Sequence, residues 1–175
     1  MTAFVYVIAA LVALQRLVEL FYAQRNTKAL LARGATEVGR GHYLLIVLLH
    51  ASWLAVIVLA VPRPALIVWP WLAFFIVLQL ARVWIIASLG PLWTTRIITL
   101  KDEPLVRKGP YRFMRHPNYV VVALEIASLP LAFREYAVAL GFSLLNACVL
   151  AWRIRQENTA LAPRRAAIAG GVRDV

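Results

Sequence analysis

Five apolar runs, none shorter than 16 residues, occupy most of this chain and rule out a water-soluble fold. A helix needs about 20 apolar residues to cross about 30 Å of hydrocarbon. The runs cover residues 3–23, 42–61, 65–89, 118–133 and 136–152. The Pro62-Arg63-Pro64 turn makes the second and third an antiparallel hairpin. The last two are shorter and share the tight Phe133-Arg134-Glu135-Tyr136 connection, which suits a tilted hairpin. Hydrophobic residues make up 62% of the chain, against about 45–50% in soluble domains, so lipid must cover the excess. The expected fold is therefore all-α: a membrane bundle of about five helices in one domain, residues 1–163. A flexible tail over 164–175 would follow it. No basic region and no small-residue cleavage site frame the first run, so it reads as a retained span.

The net charge of +11 alone would suit nucleic acid, but its distribution speaks for a membrane. Segments 24–41, 90–117 and 153–175 carry 15 of the 19 basic residues, and in a five-span arrangement all three lie on one side. The positive-inside rule then puts the N-terminus outside and the C-terminus in the cytoplasm of a multi-pass inner-membrane protein. Nucleic acid is not an expected partner; membrane lipid is. The lone Cys148 allows no internal disulfide, and no Cys/His cluster suggests a metal. Nothing in the sequence sets an oligomeric state.

Ionisable residues inside spans are costly and usually face a cavity or each other. Arg16 and Glu19 lie three apart on one helical face, and Gln79 and Arg82 repeat that spacing. His50 sits within the second run, as an interhelical hydrogen-bonder or as a base. Glu125, between Leu124 and Ile126, needs a partner and shares a face with Asn118. Asn146, Arg153 and Glu157 form one stripe on the last helix.

The longest interruption, GPLWTTRIITLKDEPLVRKGPYRFMRHP over 90–117, is too long for a simple connector. Its prolines and glycines fix turns and expose backbone polar groups. Arg and Lys could meet a carboxylate, while Trp93, Tyr111 and Phe113 could stack on a flat ring. That inventory suits a small zwitterionic, ring-bearing cofactor, and it would equally serve an anionic lipid headgroup.

Gly109-Pro110-Tyr111-Arg112-x-x-Arg115-His116-Pro117-x-Tyr119, opening a short apolar hairpin that ends in Arg153-x-x-x-Glu157-x-x-x-Leu161, resembles the isoprenylcysteine carboxyl methyltransferase family. The RHPxY element is also similar to that of membrane phospholipid methyltransferases. The resemblance covers most of residues 70–162. RNTKALLARGATEVGRGHY, before the second run, looks like a bacterial branch of the family linked to polyketide pathways.

The resemblance implies S-adenosylmethionine as methyl donor, bound at the cytoplasmic face, with a lipophilic small-molecule acceptor arriving from the bilayer. Arg115 and His116 would meet the cofactor's methionine end, and Tyr119 would close over it. The backbone near Val106 and Gly109 would cradle it together with Tyr111, and Glu157 would hydrogen-bond it. Arg153 would face the methyl-transfer point and hold an acceptor oxygen. Two positions depart from the family pattern: Val121 stands where glycine is common, and Asn158 replaces the second carboxylate of an acidic pair. Both bear on the acceptor more than on the donor. A bacterial chain would also lack the prenylated-cysteine substrate, so that specificity does not carry over.

Methyl transfer mainly demands positioning and exclusion of water. A carboxylate acceptor needs no base. A phenol or enol does better with one, and Glu125, then His50, are the candidates. The leading reading is an O-methyltransferase for a lipophilic phenolic or pyrone polyketide, or a carboxylate. The alternatives are a non-enzymatic protein binding anionic lipid or a partner, and a phospholipid N-methyltransferase. The cation at Arg153 argues against the amine acceptor of the latter.

Overall fold

The computed structural model describes residues 2–39, 41–61, 65–100 and 106–169, with backbone alone for Thr2, His42 and residues 163–169. In chain order the elements are α1 (Thr2–Ala32), β1 (Thr36–Val38), α2 (Gly41–Ala60), α3 (Trp69–Leu89), β2 (Ile97–Thr99), α4 (Pro117–Ala132) and α5 (Tyr136–Ala169). All five expected helices are present, in an all-α membrane bundle. Four of them, α1, α2, α3 and α5, are long and apolar enough to cross a membrane. The other, α4, is short, as expected of the final hairpin: its 16 residues reach only about 24 Å, less than the hydrocarbon thickness.

Two helices run well past the apolar stretch that signals them. In α1 the polar stretch after Ala23 contains no Gly or Pro until Gly34, so nothing stops the helix before Ala32. Gly34 then takes φ +87°, a left-handed value that suits glycine at a helix end. α5 continues to Ala169, so the first residues of the expected tail are helical, while the Gly170-Gly171 end lies outside the described residues. The Pro62-Arg63-Pro64 turn also lies outside them.

Proline opens α3 and α4, at Pro70 and Pro117, where its missing N–H costs no helical bond. The α4–α5 turn is tight, as expected: Arg134 adopts φ +63°, and the Glu135 N–H bonds the Pro130 carbonyl at 2.9 Å. α3 packs on α4, and α5 packs on both α4 and α2. Trp53, Ile57, Phe75, Ile126, Leu129 and Phe133 fill one core. The Trp53 indole donates to the Ile126 carbonyl at 3.1 Å, which fixes the height of α2 against α4. Outward faces carry exposed Leu17, Phe21, Leu59 and Leu80, the apolar surface that lipid covers.

The β1–β2 ladder was not expected. Its antiparallel register pairs Thr36 with Thr99, Glu37 with Ile98 and Val38 with Ile97. Arg96 closes it with two contacts to the Glu37 carboxylate, at 3.0 and 3.1 Å, and lies 4.7 Å from the Tyr43 ring centroid. The Asn26 amide donates to the Gly90 and Trp93 carbonyls at 3.1 and 2.9 Å. Together these contacts bring the basic segments 24–41 and 90–117 to one end of the bundle.

Candidate active site

Within the bundle, the scattered polar residues of three helices converge on one carboxylate. Glu125, buried in α4, accepts from Arg82 Nε at 2.9 Å and Nη2 at 2.5 Å. It also accepts from Arg16 Nη2 at 2.8 Å and from the Gln79 amide at 2.9 Å. Glu19 accepts from Arg16 at 3.0 Å and Arg82 at 3.2 Å, so two guanidinium groups balance two carboxylates. A lone buried ion would be very costly; a neutral set with most bonds made is tolerated. The Arg16–Glu19 pair and the need of Glu125 for a partner were both legible in the sequence. Their union with Arg82 and Gln79 was not. Glu125 itself does not line the cavity described below. Both its oxygens are taken by cationic and amide donors, so the expected role of general base does not fit where it stands.

A second cluster lies at the end of the bundle where the ladder sits. Glu157, on α5, accepts a hydrogen bond from the Tyr119 hydroxyl, and its other oxygen lies 3.7 Å from His116 Nδ1. The His116 and Tyr119 rings stack with centroids 5.3 Å apart and planes at 17°. Arg153 donates from Nε to the Tyr119 hydroxyl at 2.8 Å and from Nη2 to the Thr95 carbonyl at 2.7 Å. Its Nη1 makes no hydrogen bond among the described residues. Arg153 and Glu157 are one helical turn apart, and His116 immediately precedes α4, so the helix geometry sets this grouping.

The turn that carries Gly109 and Tyr111 packs on the end of α3. Gly109 takes φ +58°, and a Cβ there would fall 2.1 Å from the Ser88 hydroxyl oxygen, which itself bonds the Trp84 carbonyl at 2.8 Å. Glycine is thus required by both conformation and close approach. Tyr111 packs among Ile85, Trp93 and Val121. Burial, and then the negative charge of Glu157, push its phenol above the usual tyrosine range. Of the residues expected to hold a cofactor, Tyr111, His116, Tyr119 and Glu157 are brought together, with Gly109 setting the turn. Arg115 is exposed, and Val106 lies half-buried at the start of the same segment.

A cavity of about 670 Å³ runs from this cluster between α1, α2 and α5. Thr94, Thr95, Asn118, Tyr119 and Arg153 line it near the cluster; Ala9, Ala13, Leu54 and Val58 line it farther along. Arg153 and Tyr119 therefore belong both to the Glu157 cluster and to the cavity wall. Asn118 Oδ1 and Trp93 Nε1 are buried there without partners, an acceptor and a donor that a ligand could meet. His50 also lines the cavity, but on α2, seven residues or about 10 Å along the helix from Tyr43. Of the three candidate catalytic residues, only Arg153 stands beside the Tyr119–Glu157 pair. Asn26, Ser88 and Thr95 were missed, because each acts through a backbone carbonyl or through packing, which leaves no sequence pattern.

A multi-span helical protein with a polar cluster at one end, opening into a membrane-level cavity, is suited to join a polar reagent to an apolar one. The family model for the isoprenylcysteine carboxyl methyltransferase (ICMT) family matches residues 71–163, and this chain belongs to that family. Membership implies a membrane methyltransferase that uses S-adenosylmethionine. The chain is similar to the uncharacterized protein YpbQ of Bacillus subtilis (strain 168), 37% identical over 163 residues, covering 89% of this chain and 95% of that protein. An uncharacterized protein of Haemophilus influenzae (strain ATCC 51907 / DSM 11121 / KW20 / Rd) is 26% identical over 163 residues, covering 90% and 95% respectively. No solved structure matches the chain significantly.

Proposed function

We propose that this chain is an S-adenosylmethionine-dependent O-methyltransferase whose acceptor is a lipophilic small molecule with an oxygen already ionised near neutral pH. Its ladder end faces the cytoplasm, and the acceptor reaches the cavity from the bilayer. The observation that carries this reading is the double position of Arg153, bonded to Tyr119 in the Glu157 cluster and lining the apolar cavity.

The residues present suit the cofactor. Glu157 offers carboxylate oxygens, His116 and Tyr119 a stacked pair of rings, and the unpartnered Asn118 oxygen and Trp93 indole N–H a further acceptor and donor. When bound, S-adenosylmethionine supplies an electrophilic methyl group on a sulfonium. Arg153 orients the acceptor: two of its nitrogens are fixed by Tyr119 and Thr95, so a planar cation is held rigidly with Nη1 left to bind an oxyanion. The apolar walls exclude water from that point. Glu125 is tied into its ion pairs and His50 stands along α2, so neither removes a proton beside Arg153. An acceptor that needs none fits best: a carboxylate, or an acidic enol or phenol of the kind polyketides provide. The cation disfavours an amine headgroup.

Calorimetric binding of S-adenosylmethionine and S-adenosylhomocysteine to the detergent-purified protein tests the cofactor, beside His116→Ala and Glu157→Ala. Micromolar binding lost in both variants supports the reading. No binding by folded wild type sinks it and favours a lipid-binding protein without catalysis.

A further inference from the structure

The cavity has a second polar tier that methyl transfer at Arg153 does not use. Asn146 is 2% exposed, lines the cavity and makes no hydrogen bond among the described residues. His50 lines it too; its Nδ1 lies 2.8 Å from the Ile46 carbonyl. A carbonyl only accepts, so the neutral ring carries its proton on Nδ1 and keeps a lone pair on Nε2. Arg16, Glu19 and Arg82 of the buried ion pairs line the same cavity as His50.

Helix register puts these groups at one height. Asn146 precedes Arg153 by seven residues on α5, which is about 10 Å on the same face. His50 follows Tyr43 by seven on α2, and Tyr43 stacks on Arg96, the neighbour of the Thr95 that Arg153 grips. α2 and α5 pack together. The cavity is thus ringed twice, at Arg153 and again about 10 Å farther along. Polar groups at such a depth are costly when unmet. A purely hydrocarbon occupant would leave the carboxamide of Asn146 and the Nε2 lone pair unsatisfied.

Resting on the reading above, we propose that the acceptor is an elongated amphiphile with two oxygen functions: the oxyanion at Arg153, and a hydroxyl about 10 Å along its chain that lies between Asn146 and His50. A hydroxyl suits this place because it both donates and accepts. It gives its proton to Nε2 and takes a bond from the Asn146 amide. Asn146 and His50 then determine specificity and do not take part in the chemistry.

The test compares 10-hydroxyoctadecanoic acid with octadecanoic acid, binding to detergent-purified protein saturated with S-adenosylhomocysteine. The hydroxy acid is expected to bind about tenfold tighter, the effect of a satisfied buried hydrogen bond. Asn146→Leu and His50→Phe should each bring the ratio close to one, leaving the S-adenosylhomocysteine affinity unchanged. Asn146→Leu removes an unpaired polar group, so it should fold at least as well as wild type. Equal binding of the two acids, binding of neither, or discrimination that survives both variants overturns the proposal. If S-adenosylhomocysteine itself fails to bind, the methyltransferase reading falls instead.

Discussion

Glu125→Gln separates a strut from a base, because the two roles predict opposite losses. The substitution keeps the shape but removes the negative charge and turns an N–H₂ group toward one side of the ring of donors. Four donors now converge on this carboxylate, three of them from guanidinium groups, at 2.5 to 2.9 Å. With the charge gone, Arg16 and Arg82 face a single remaining carboxylate, Glu19, inside the bundle. Breaking a buried pair by removing one partner costs about 3–5 kcal/mol. For a chain of this length that lowers the unfolding midpoint by on the order of 10 °C. Thermal unfolding in detergent, followed by the fluorescence of the six tryptophans, reads this directly. Arg16→Leu combined with Glu125→Leu removes one charge of each sign and should recover at least half of the loss seen in Glu125→Leu alone. A Glu125→Gln protein with the wild-type midpoint and no methyl transfer would refute the reasoning and return Glu125 to the role of base.

Gly109→Ala must adopt a left-handed φ, costing about 1–2 kcal/mol. It must also displace Ser88, for about 1–3 kcal/mol more, and Ser88→Gly should relieve the second part alone when unfolding midpoints are compared. Tyr119→Phe removes the hydrogen bonds that join Glu157 to Arg153 and should weaken S-adenosylhomocysteine binding roughly tenfold by calorimetry. Tyr111 ionises less readily in the folded protein than in the unfolded chain, so above about pH 10 the unfolded state loses protons first and stability falls as pH rises. Tyr111→Phe should flatten that alkaline slope in an unfolding series.

The bundle was legible because membrane spans are written in long apolar runs, and proline and glycine mark their ends. What the sequence hid was either short or non-local. The ladder uses three residues on each side, too few to show a period of two. The extension of α1 is polar, and hydropathy finds spans but not the helical turns that leave the membrane. At the site, helical spacing sets His116 beside Tyr119 and Arg153 one turn from Glu157, but the two pairs lie 34 to 38 residues apart and only the packing of α4 on α5 joins them. The partners of Glu125 were hidden for the same reason: they lie 43, 46 and 109 residues away, and only the fold reveals that they occupy it.

The family match begins at residue 71, yet much of the cavity wall comes from α1 and α2, which precede it. On the reading proposed above, the matched stretch holds the donor and the acceptor's oxyanion at Arg153, while α1 and α2 shape much of the acceptor cavity; the two are joined by the Asn26 contacts, the two-stranded ladder and one cluster of ion pairs. Such a division lets evolution retune one half while the other stays fixed. Exchanging the first two helices between relatives, with Arg16, Glu19 and Asn26 retained, should move acceptor preference and leave cofactor affinity where it was.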